Sequence, residues 1–186
     1  MVEKFKKYYD NILISFVLNI LVAYAAWKIL LKTSQVYQPF KLQWDAMMVS
    51  LANMIAWLAY WVLWPFYNTL NLNGSWLYLT GKHGVLVGPA CVGIGVTFMY
   101  IGLILAYRGP FILKLKFILG GTLSILLLNV LRNAILCLVA AYRFEWTEFN
   151  HKYVFNNLIY IFILVVWAWY VNLAGKSELQ KVEDAQ

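Results

Sequence analysis

The stretch FILGGTLSILLLNVLRNAILCLVAA, residues 117–141, decides how the rest of the chain is read. It is long enough to cross a bilayer, which takes about 20 helical residues, yet Asn129, Arg132 and Asn133 interrupt it. An arginine so far inside an apolar run is costly and reaches a membrane interface with difficulty. Arg132 is therefore expected to face a protein interior and serve a site. Cys137, about 140° further round the same helix, is read as a packing residue.

The remainder of the chain agrees with a membrane setting. Of 186 residues, 63% are hydrophobic, 18% aromatic and only 12% charged, and the mean hydropathy is +0.68, too apolar for a soluble domain of this size. The formal net charge of +7 suggests a nucleic-acid partner, but the basic residues are scattered beside apolar runs. Membrane topology and lipid headgroups account for them better, and no nucleic acid is expected. Cys91 and Cys137 form neither a metal-ligand spacing nor a disulfide framework, so no metal and no cofactor is expected.

Further apolar runs cover residues 12–31 and 154–173, with a shorter one at 92–107. Residues 44–64 fit either an interfacial helix or a span. Asp45, Ala46, Ser50, Ala52, Asn53, Ala56, Ala59 and Tyr60 share one half of their helical wheel, and Met47, Leu51, Met54, Ile55, Leu58, Trp61 and Val62 share the other. With that helix on the outer surface, Lys4, Lys6, Lys7, Arg108, Lys114, Lys116, Lys176 and Lys181 fall inside. Lys28, Lys32, Lys41, Lys82, Arg143 and Lys152 fall outside. The excess of inner positive charge favours this arrangement.

The fold expected is thus an all-α integral membrane protein, a bundle of four transmembrane helices, or five if residues 44–64 also cross. An interfacial amphipathic helix and a small extracytoplasmic β-hairpin complete it, with both termini cytoplasmic. The hairpin is read from residues 76–80 and 85–87 around the turn Gly81-Lys82-His83-Gly84, ahead of Gly88-Pro89. Residues 1–174 are taken as a single transmembrane domain. Residues 175–186, which turn abruptly polar, are taken as a disordered cytoplasmic tail. The basic start, apolar core and Ala23-Tyr24-Ala25 resemble a signal peptide, but the apolar run continues to Leu31, so an uncleaved first span is expected.

Three polar positions are expected to meet near the outer leaflet. If the helices either side of Arg108-Gly109-Pro110 form an antiparallel pair, Cys91, counted back from Tyr107, and Arg132, counted on from Phe117, both stand about 23 Å above the inner boundary. His151, ahead of the last span, stands about 10 Å higher unless tilt, a bent helix start or the reach of the arginine closes the gap. The residue types suit one another. A thiol becomes a good nucleophile when a neighbouring cation or base lowers its pKa. Arginine offers a permanent charge in a planar fork suited to a carbonyl or oxyanion, and histidine can carry a leaving-group proton near neutral pH.

The supporting candidates are Asn129, three residues before Arg132 and on nearly the same helix face, and Asn150, beside His151. Gly93 and the neighbouring Gly88, Pro89 and Gly95 would permit a kink or close packing. Asn133, Asn156 and Asn157 are read as hydrogen-bonding between helices. His83 is read as a solvated turn residue. Glu145 and Glu148 suit either a wet loop or a basic substrate segment.

The succession Gly88-Pro89-Ala90-Cys91-Val92-Gly93, Asn129-Val130-Leu131-Arg132 and Asn150-His151 resembles the exosortase/archaeosortase family, membrane-embedded cysteine transpeptidases, in a compact form. The resemblance covers roughly residues 88–170. It implies that Cys91 is the nucleophile, followed two residues later by the family's glycine, here Gly93. It further implies that Arg132 is the arginine of an Asn-x-x-Arg pattern opened by Asn129, and that His151 is the third catalytic residue. Val92 and Asn133 depart from the residue types common in the family beside the cysteine and the arginine.

Such an enzyme implies a membrane-anchored protein substrate with a C-terminal sorting signal of short motif, transmembrane helix and basic tail. It would be cleaved through a thioester and passed to an acceptor. The resemblance also implies a multi-pass protein of a prokaryotic cytoplasmic (inner) membrane with its active site towards the extracytoplasmic side. A competing reading is a non-catalytic assembly or targeting factor of an export system, in which Arg132 and His151 bind a partner helix. A channel or transporter is disfavoured, because no series of intramembrane charges marks a path.

Overall fold

A computed structural model describes the backbone of residues 2–36 and 38–183 and the side chains within 16–176, apart from 23, 34, 35, 37 and 90. The elements run α1 (Val2–Val36), α2 (Gln38–Leu63), β1 (Leu70–Asn73), β2 (Trp76–Leu79), β3 (Gly84–Leu86), a 3-10 turn (Pro89–Cys91), α3 (Ile94–Ala106) and α4 (Phe111–Tyr142). A 3-10 turn (Phe144–Trp146), α5 (Thr147–Phe149), a π-helical turn (Asn150–Val154) and α6 (Phe155–Glu183) follow. The chain is an all-α membrane protein with a small sheet. It divides into two compact units: one takes α1 up to Thr33, Gly95–Thr122 and α6 from Ile163, and the other takes Ser34–Ile94 and Leu123–Phe162.

In the first unit, Asn19 and Tyr100 find backbone partners. Asn19 Nδ2 donates to the Ala106 carbonyl at 3.1 Å, fastening α1 to the end of α3. The Tyr100 hydroxyl, fully buried, donates to the Phe117 carbonyl. Gly121 makes room for it, since a Cβ there would land on the Tyr100 ring. Phe16 stacks on Trp167 at 5.7 Å, and Phe117 packs against Tyr170 at 5.3 Å. Large aromatic rings of this kind carry much of a core's buried area.

The second unit is built on a stripe of α2. Met48, Ala52, Ile55, Ala56, Ala59 and Leu63 are buried at helical spacing against Leu70, Leu77 and Leu79 of the sheet, Cys91, and Val130, Ala134 and Cys137 of α4. The buried stripe therefore follows neither half of the wheel. Ala52, Ala56 and Ala59, grouped with the polar residues, are buried, while Met47, Met54, Trp61 and Val62 are exposed. Small residues let backbones approach closely, which outweighs their modest hydrophobicity. The hairpin expected at residues 76–87 is present and gains a third strand, giving the antiparallel order β1-β2-β3. Leu70 pairs with Leu79, and Trp76 with Leu86. β1, Leu-Asn-Leu-Asn, has the strand period, with Leu70 buried and Asn73 exposed.

Among the described residues, four helices are long and apolar enough to cross a membrane, within Phe16–Thr33, Gln38–Leu63, Phe111–Tyr142 and Phe144–Lys176. The count matches expectation, but by length α2 takes the place given to residues 92–107. α3 has 13 residues and rises only about 20 Å. The polar segment from Gly175 corrects the expectation of a disordered tail. α6 continues to Glu183, as suits Glu178, Leu179, Gln180 and Lys181, all good helix formers. Residues 184–186 lie outside the described residues.

Candidate active site

Cys91 closes the 3-10 turn rather than opening α3. Pro89 stands at the start of that turn, where its fixed φ is favourable and its missing N–H costs nothing. The Cys91 N–H donates to the Gly88 carbonyl at 2.9 Å, and that of Val92 to Pro89 at 3.3 Å. Gly93 then reverses the chain with φ +75, a left-handed conformation that disfavours side chains, and α3 begins at Ile94. Gly93 is required on a second count. A Cβ there would collide with the Asn129 carboxamide of α4. The thiol is thus held on a backbone elbow, with 6% of Cys91 exposed.

His151 faces it from the chain leading into α6. Its Nε2 lies 3.1 Å from Cys91 Sγ. In this pair either the thiol donates to the ring nitrogen or a protonated nitrogen donates to the thiolate. The height gap expected between His151 and the other two is closed by an irregular helix start. A 3-10 turn, one turn of α-helix and a π-helical turn replace the continuous helix, and π turns are often found at functional sites. Asn150 Nδ2 donates to the Trp146 carbonyl at 2.8 Å, and Asn156 Nδ2 to Lys152 at 3.1 Å. Side-chain donors thus cover one carbonyl ahead of the wide turn and one within it. Asn150 therefore supports the local backbone rather than the thiol. Lys152 Nζ and Glu148 Oε1 pair at 2.6 Å in the open.

Arg132 is 5% exposed, as expected for a costly intramembrane charge. Its Nη2 donates to the His151 carbonyl at 3.2 Å, while its Nε has no partner among the described residues. The arginine therefore reaches the histidine's backbone while the histidine's ring reaches the thiol. Asn133, fully buried, donates from Nδ2 to the Asn129 carbonyl at 2.8 Å along its own helix.

Asn129 does not orient Arg132. Among the described residues neither Nδ2 nor Oδ1 of Asn129 has a hydrogen-bond partner, and both are buried. Cys137 packs as expected, fully buried, with its Sγ 3.6 Å from the Leu77 carbonyl of β2. His83 is exposed but stacks on Phe144 at 4.2 Å, a more specific place than a solvated turn.

Cys91, Arg132 and His151 thus converge in one unit, with Asn129 beneath the elbow of the thiol. Such a set can offer a nucleophile, a proton carrier and a fixed positive charge. No curated protein and no solved structure matches the chain significantly. A family profile described as transmembrane exosortase matches residues 12–170, a range that includes the elbow, the arginine and the π turn. That match covers most of the sequence, and the chain belongs to the transmembrane exosortase family.

Proposed function

We propose that this exosortase is a cysteine transpeptidase in which Cys91 is the nucleophile, His151 the proton carrier and Arg132 the electrophile's anchor. The observation that carries the reading is the 3.1 Å approach of Cys91 Sγ to His151 Nε2, with the buried Arg132 bonded to the same histidine's carbonyl. His151 takes the thiol proton, and the thiolate attacks a peptide carbonyl. The oxygen of the tetrahedral adduct, now negative, is stabilised by the guanidinium. The C–N bond breaks, His151 returns the proton to the departing amine, and a thioester remains on Cys91. An acceptor nucleophile then attacks the thioester, loses its proton to His151 and releases the cysteine.

The substrate in this reading is a membrane-anchored protein with a C-terminal signal of short motif, transmembrane helix and basic tail. The anchoring helix fixes the height of the scissile bond, which favours reaction by prior positioning. The site opens towards the extracytoplasmic side of a prokaryotic cytoplasmic membrane. The test is co-expression with a reporter bearing such a signal. Cys91→Ala should insert normally and leave the reporter uncleaved, whereas full cleavage by Cys91→Ala would refute the transpeptidase. A reporter without its helix should escape cleavage in membranes. Equal cleavage of the soluble form would refute the anchored substrate.

A further inference from the structure

Asn129 has a buried side chain whose chemistry is unused. It is 1% exposed, and both carboxamide atoms lack partners among the described residues. The carboxamide lies against Gly93, two residues from Cys91, so closely that no side chain fits between them. A leucine would fill this space without stranding polar atoms. An unpaired buried amide is unfavourable, and a ligand that supplies both partners recovers the loss.

The required ligand must present one acceptor and one donor side by side, because a carboxamide offers a donor N–H and an acceptor oxygen. An extended peptide residue does so, since its own N–H and C=O point to the same side, as in an antiparallel sheet. We infer that Asn129 is the backbone-reading residue of this site, gripping the N–H and C=O of one extended substrate residue beside the scissile bond.

The inference rests on the proposed cysteine chemistry and adds what is recognised there: peptide backbone in extended form, independent of the side chain at that position. Access does not argue against it. Cys91 and Arg132 are nearly as covered as Asn129, at 6% and 5% exposed, so a carbonyl that reaches the thiol must already have opened the pocket around Gly93. The glycine that carries the elbow then acquires a second purpose. Its missing side chain leaves the carboxamide room beside the bond to be cut.

The test is a double-mutant cycle on the full chain in vesicles. A semisynthetic anchored substrate has single backbone amides, outside the scissile bond, replaced in turn by esters, which removes one N–H at a time. At one position the wild type should lose about tenfold in kcat/KM, the order of one net hydrogen bond, while Asn129→Ala, already slower, should lose nothing more. Asn129→Ser, closer in polarity, repeats the cycle should the alanine variant insert poorly. Alkylation of Cys91 by N-ethylmaleimide should proceed at the wild-type rate in both variants, which a collapsed elbow would not allow. The inference is overturned if Asn129→Ala processes as the wild type does. It is likewise overturned if every ester is as harmful to the variant as to the wild type. Wild-type protein that yields no Cys91-dependent product from the unmodified substrate would overturn the cysteine chemistry itself, and the backbone reading with it.

Discussion

The two cysteines are both buried, yet they sit in regions of opposite character. Cys137 lies within α4 among apolar neighbours, with its sulfur near a strand carbonyl. A carbonyl can only accept, so it holds the group as a thiol. Cys91 lies on a short elbow outside any long helix, and its sulfur meets an imidazole. An imidazole can also remove the proton. Burial therefore does not distinguish the two cysteines. The partner does.

The comparison breaks first if the wrong cysteine matters. Cys91→Ala should lower reporter processing by at least about 10³-fold, as losing a nucleophile does. Cys137→Ala should leave processing intact and cost about 1 kcal/mol of stability in a denaturation assay, the scale of a small core truncation. Equal losses from the two would remove the distinction.

Arg132→Lys sharpens the second part of the account. The ammonium keeps the charge but lacks the planar fork whose Nη2 reaches the His151 carbonyl. Processing should fall about 10²-fold, the scale of a lost oxyanion donor, without loss of insertion. Near-normal rates would reduce Arg132 to a generic cation. Gly93→Ala should have a smaller effect on stability, about 1–2 kcal/mol for the left-handed backbone, measured by thermal denaturation. Its Cβ must also push Asn129 aside, so processing should fall further than that destabilisation explains.

Much of this contrast was legible in the sequence, because an arginine amid residues 117–141 is expensive and therefore informative. Depth counting brought Cys91 and Arg132 to one level. The rest depends on contacts that no local pattern encodes. The π turn around His151 has no composition of its own, and Asn150 and Asn156 acquire meaning only once that turn exists. The seat of Asn129 under Gly93 joins two elements distant in sequence. β1 was missed although Leu70 and Leu72 alternate with Asn71 and Asn73, because four residues are too few for periodicity to decide. The wheel of α2 groups Ala52, Ala56 and Ala59 with Asp45, Ser50 and Asn53 but cannot say which of them pack, and close packing selects the alanines by size.

The membrane course of α2 yields the mildest test. The sheet sits at the C-terminal end of α4, with Lys82 Nζ 3.6 Å over the Tyr142 ring and His83 on Phe144, so α2 ends on that same face. A crossing α2 and an interfacial α2 put the N-terminus on opposite sides of the membrane. Lys41, Asp45, Ser50 and Asn53 are exposed along α2, which favours the interface, since an exposed carboxylate inside the hydrocarbon is costly. Reporter fusions should therefore place both termini in the cytoplasm. An external N-terminus would make α2 a span.

The most direct measurement of the central claim is the covalent state of Cys91 during turnover. Protein quenched with its anchored substrate should carry an acyl group on Cys91, detected by peptide mass and removed by hydroxylamine, and Cys137 should remain free. Release of the substrate's helix with no adduct at Cys91, or an adduct at Cys137, would contradict the account.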